Sequence, residues 1–154
     1  MTLTENVLPV LAAWLRTAPG LEEVEIGVDG AGPAPGGGGL FPAGVEVLQC
    51  RRDLLGGQTL RCRATFVLRL VLPADTAPRN ARLVLRLAAW VQARSAAGDT
   101  PRLGSADFAA ETMTAASGRL ERAGAGGSNV YSLRLIAEYT EKYNGTEDNK
   151  GVTQ

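Results

Sequence analysis

The sequence describes an α+β protein in which a mostly antiparallel sheet of about four to five strands carries two helices packed on one face. Three patterns say so. In LRCRATFVLRLVL, Leu60, Cys62, Ala64, Phe66, Leu68, Leu70 and Leu72 alternate with Arg61, Arg63, Thr65, Val67, Arg69 and Val71, the period of a half-buried strand. Two other stretches, near residues 4–17 and 77–95, gather their apolar residues on one arc at the helical period. One of these helices precedes the main hairpin and the other follows it, which favours one face for both.

The first helix turns Val7, Leu8, Val10, Leu11, Trp14 and Leu15 inward. Its start is open to two readings. Thr2 and Glu5 have capping-box spacing but would put Pro9 inside the helix with a mild kink. With Asn6 as cap, the preferred reading, Pro9 falls in the first turn, where an N–H has no helical partner to lose. Ala18-Pro19-Gly20 ends it. Residues 21–28, LEEVEIGV, read as a short strand with Val24, Ile26 and Val28 on one face. Residues 29–44, DGAGPAPGGGGLFPAG, offer little to bury and much entropy to lose, so they read as a long loop. Its sharpest use is as an arm reaching a neighbouring subunit. A phosphate cradle at Gly36–Gly39 is disfavoured, because no Lys-Ser/Thr pair follows and no helix opens there.

Val45–Arg52 then pairs with Leu60–Leu72 through a turn near Leu54-Leu55-Gly56-Gly57. A loop of Leu55, Gly56 and Gly57 would set Cys50 opposite Cys62, as two thiols, since directly facing strand neighbours bridge awkwardly. Thr76 as cap and Pro78 in the early turn open the second helix. It buries Leu83, Val84, Leu87, Ala88, Trp90 and Val91 and carries Arg79, Arg82 and Arg86 as a stripe beside them. That stripe reads first as a solvated face and second as a phosphate contact. Gly98-Asp99-Thr100-Pro101 stops the helix. Residues 106–122 and 129–143 form a last hairpin about a glycine-rich turn, and the polar tail from Asn144 is expected to be disordered.

The chain has 154 residues, enough for one domain, and its 16 basic and 16 acidic side chains cancel. No global field draws it to nucleic acid or lipid. The charges are unevenly spread, though: Glu5, Glu22, Glu23, Glu25 and Asp29 face only Arg16 in residues 1–40, whereas residues 51–122 are rich in arginine. There is no histidine, the usual base near neutral pH and the commonest metal ligand. Two cysteines without a CxxC are too few for a zinc site. No apolar run approaches the roughly 18 residues of a membrane span, and the acidic start is unlike a signal peptide. The expectation is a soluble intracellular protein that is not an enzyme, with no cofactor, no metal and no membrane contact. An enzymatic or small-ligand alternative would have to use Asp107 and Glu111 with Arg102, or Cys50 as a nucleophile lacking a histidine to activate it.

The last strand is the string YSLRLIAEYTEKY, with Tyr131 eight residues before Tyr139 and Thr140-Glu-Lys-Tyr143 closing it. Together with the amphipathic first helix, the long hairpin and the Pro-opened second helix, this resembles the tail terminator (tail completion) proteins of long-tailed bacteriophages, over roughly residues 5–143. The Gly/Pro-rich stretch from Gly30 to Gly39 departs from that pattern. The resemblance implies a structural virion protein of the tail and neck, assembled in the host cytoplasm. Such a protein forms a ring, expected to be a hexamer, on the last ring of the tail tube protein, stops polymerisation and offers a joint to the head-completion connector. DNA would meet it only as the transiting genome. Another neck or tail-tube component is the near alternative.

A ring needs two different patches of one subunit to meet head to tail. Candidates for the interface are Arg61, Arg63 and Arg69 against an acidic patch of Glu22, Glu23 and Glu25, with the loop residues Gly36, Gly37, Leu40 and Phe41 and the tyrosines Tyr139 and Tyr143 alongside.

Overall fold

The alternating stretch at Leu60–Leu72 lies in the central strand of a five-stranded sheet. The computed structural model describes residues 7–22, 24–28, 36–123 and 127–144. Their order is α1 (Val7–Leu15), β1 (Ile26–Gly27), β2 (Gly38–Arg52), β3 (Gln58–Pro73), α2 (Ala77–Ala96), β4 (Thr112–Ala123) and β5 (Ser128–Tyr143). The strands lie β1-β2-β3-β5-β4, every pairing antiparallel except the short parallel contact of β1 with β2.

Register puts the apolar alternation to work. Cys62, Ala64, Phe66, Leu68 and Leu70 pair in turn with Tyr139, Ala137, Leu135, Leu133 and Tyr131, and all ten are buried. Both helices cover this face: Val7, Leu11 and Leu15 of α1 and Val84, Leu87 and Val91 of α2 join the same core. The α+β architecture with both helices on one side of a mostly antiparallel sheet is therefore as the sequence implied. Trp14 and Trp90 join the helices, their ring centroids 4.7 Å apart, and the Trp14 indole donates to the Asp99 carbonyl at 3.0 Å. Among the described residues no helix is long and apolar enough to cross a membrane.

Several boundaries need correction. Gly38–Gly44 is not loop but the start of β2, where Gly38 and Gly39 pair with Leu70 and Arg69 on one side and with β1 on the other. Hydrogen-bonding neighbours on both sides outweigh glycine's poor strand preference. Bulges at Pro42/Gly44 and Val47/Gln49 shift the register, so Cys50 faces Leu60 and Cys62 faces Val47. The two cysteines are not opposite and both are free thiols. Asp53 builds the turn: its Oδ1 accepts the amides of Leu55 and Gly57, and Gly56 takes the positive φ of 85°. Among the described residues of 21–28, Ile26 and Gly27 alone pair as strand.

Thr76 stands at the cap position of α2, but its hydroxyl donates to the Pro73 carbonyl 3.0 Å away rather than capping the helix. Pro78 does lie in the first turn. Residues 106–111 are not strand. A tight turn at Phe108–Ala110 intervenes, and β4 begins at Thr112. Asn6, residues 29–35 of the glycine-rich stretch and residues 145–154 of the tail lie outside the described residues.

Candidate assembly surface

The sheet face away from the helices is where the arginines of β3 point. Arg63 bridges two strands, its Nη1 lying 3.3 Å from Glu46 of β2 and its Nη2 3.2 Å from Glu138 of β5. Arg69 pairs with Glu121 of β4 at 3.0 Å and lies over the Phe41 ring. Arg61 reaches past Thr140 to donate to the Ala110 carbonyl at 2.8 Å. These pairs are partly exposed, so water screens them and they add little to stability. Their consequence is geometric: the three arginines are held by carboxylates and a carbonyl of their own chain and do not depend on a neighbour for a counter-charge.

The other expected interface residues sort by burial. Leu40 and Tyr139 are 1 % exposed and sit in the core, which corrects their assignment to an interface; alternation turns both toward the helices. Tyr143 is half-buried, and the Tyr139 and Tyr143 hydroxyls have no hydrogen-bond partner among the described residues. Burial pushes the Tyr139 phenol and the facing Cys62 thiol upward, the latter helped by the nearby Glu141 carboxylate. Both stay protonated and inert at neutral pH. Gly36 and Gly37 are tied to Val71 by backbone hydrogen bonds. Glu22 turns back to accept the Gly20 amide, Glu25 is exposed, and Glu23 lies outside the described residues.

The acids and arginine of the enzymatic alternative are each engaged elsewhere, Arg102 acting on Glu111 only as a nearby positive charge. Glu111 is buried, and its two oxygens accept the amides of Leu103 and Gly104 at 2.9 and 3.3 Å. Burial still pushes its carboxyl above the ordinary range, against the pull of those amides. Arg102 lies over the Phe108 ring instead. Asp107, in the left-handed region at φ 51°, borders a shallow cleft of about 280 Å³ shared with Arg51, Arg61 and Thr140.

Sequence reasoning missed the β2 edge. Only Gly38 and Gly39 meet β1, so Leu40–Arg52 has no strand on its outer side among the described residues. From Pro42 to Arg52 every residue is exposed, including Val45, Val47 and Leu48, and the turn adds Leu54 and Leu55, which are 104 % and 88 % exposed. The signal was present: Val45 and Val47 alternate like the core face of β3, and they face Ala64 and Cys62 of that strand, yet both are exposed. At the opposite edge, β4 is also without an outer strand among the described residues. No family model matches this sequence, and no curated protein matches it.

Proposed function

We propose that this chain is a structural subunit that assembles with copies of itself into a closed ring, in the manner of the phage tail terminators its sequence resembles. The observation that carries the reading is the unpartnered Leu40–Arg52 edge with its exposed valines and leucines. A long, exposed strand edge invites pairing with another chain, and a subunit with two edges unpaired among its described residues is incomplete in a way a ring completes. Such a ring, of six copies by the resemblance, would cap a tail tube and present its other rim to the head-side connector. The ion-paired open face supports this role by keeping the sheet rigid without inviting tight DNA binding.

Negative-stain microscopy and light scattering on the purified full chain test the proposal. The expected result is a closed ring. A species of 16.1 kDa at all concentrations, or an open stack, overturns it.

A further inference from the structure

The ring reading says that two patches meet; the fold indicates which two. β2 runs antiparallel to β3, β3 to β5, and β5 to β4, so β2 and β4, at opposite sides of one sheet, point in opposite directions. Setting the β2 edge of one copy beside the β4 edge of the next therefore continues an antiparallel sheet, with like faces aligned.

The shorter free stretch of β4 fits within that of β2, and the two match in chemistry. On β2 the free stretch is Leu40–Arg52, centred on Glu46. On β4 the Met113 amide is taken by the Ser95 hydroxyl of α2, leaving Thr114–Ala123, centred next to Arg119. Laid centre to centre, Glu46 comes beside the neighbouring copy's Arg119, and both residues belong to the open face. Glu46 is mostly exposed, and Arg119 is exposed with no ion pair among the described residues. One position along, Val45 comes beside the neighbour's Leu120, both on the helix-covered face and exposed by 36 % and 49 %. A single offset thus satisfies a charge pair on one face and an apolar pair on the other.

We infer that a second copy of this chain docks by strand addition, its β4 edge pairing antiparallel with the β2 edge around the Glu46–Arg119 and Val45–Leu120 pairs. This rests on the ring reading and specifies its junction. The contact is head to tail, so every subunit uses one β2 edge and one β4 edge.

The test uses two full-length variants, Val45→Lys, which spoils the β2 edge, and Leu120→Lys, which spoils the β4 edge. Both sites are exposed, so the subunit fold should persist, as circular dichroism and urea unfolding would verify. Each variant alone is expected to lose the ring and run as a subunit of 16.1 kDa. Mixed one to one, they should form a dimer of twice that mass and nothing larger, because the mixture holds one intact junction. A second pair, Glu46→Arg and Arg119→Glu, should each weaken the ring at least tenfold in dissociation constant and recover it when combined in one chain. Folded variants that still form rings overturn the junction while leaving the ring reading intact; a native chain that never assembles overturns both.

Discussion

Glu111 shows how a buried acid is spent on backbone here. Its carboxylate holds the Leu103 and Gly104 amides of the segment that crosses from α2 to β4. Glu111→Ala would strand both donors, and about 1–3 kcal/mol of stability should be lost in urea unfolding. The carboxyl is also raised by burial, so the folded chain binds its proton more tightly than the unfolded chain does. That contribution is complete below the ordinary glutamate range and fades as pH rises through the higher folded value. Glu111→Gln removes the titration. The stability difference between native chain and variant should therefore move in favour of the native chain as pH falls from 7 towards about 4. A pH-independent difference would mean that the two amide bonds fully offset burial. Asp53 has a comparable job in a more open place, and Asp53→Ala should cost about 1 kcal/mol by freeing the Leu55 and Gly57 amides.

Pairing between elements decides what the sequence could reveal and what it hid. The strand at Leu60–Leu72 and the arcs of both helices were legible because burial on one face imprints its period directly on the residues. The start of β2 was not, because Gly38 and Gly39 are held by Leu70 and Arg69 far along the chain and by Ile26 and Gly27 before them rather than by any local preference. Leu40 and Tyr139 are buried for a related reason: alternation turns both toward the core, and although Val45 and Val47 alternate too, that their strand lies at an edge follows from the sheet order, which the alternation does not encode. The segment before β4 reads as strand in the sequence because the next element requires a hairpin partner. Its real determinant is close approach, with the Ser105 and Ala106 amides both donating to the Thr140 carbonyl. A Cβ on Gly104 would collide with the Thr140 backbone, which cannot swing aside as a side chain can. Gly104→Ala should thus destabilise by about 1–3 kcal/mol. Gly118→Ala, where the added carbon meets only the tips of Val84 and Leu133, should cost less in the same urea titration.

Taken together, in a neutral chain whose β3 arginines are tied to groups of its own, electrostatics would add to a ring chiefly through the proposed Glu46–Arg119 pair, so the ring must draw mostly on backbone pairing and apolar contact. The turn of the β2–β3 hairpin supplies the apolar part. With Glu46 beside the neighbouring copy's Arg119, the same offset carries Leu54 and Leu55 beyond the end of the neighbour's β4 toward the turn that exposes Phe108 by 42 %. In the free subunit both leucines lie in water, so replacing them with serine removes no internal contact and should leave urea stability within about 0.5 kcal/mol of native. In the ring they would be partly withdrawn from water, worth up to about 1.5–3 kcal/mol for each fully buried leucine. Half-burial of the pair would raise the concentration at which rings dissociate by at least about tenfold, the equivalent of 1.4 kcal/mol. Light scattering across a dilution series should show that shift for Leu54→Ser/Leu55→Ser. Added salt should weaken the ring modestly, by screening the exposed Glu46–Arg119 pair, and leave the apolar and backbone part of the contact in place. A ring that falls apart in salt but tolerates loss of both leucines would instead place the junction on the charged face of the sheet.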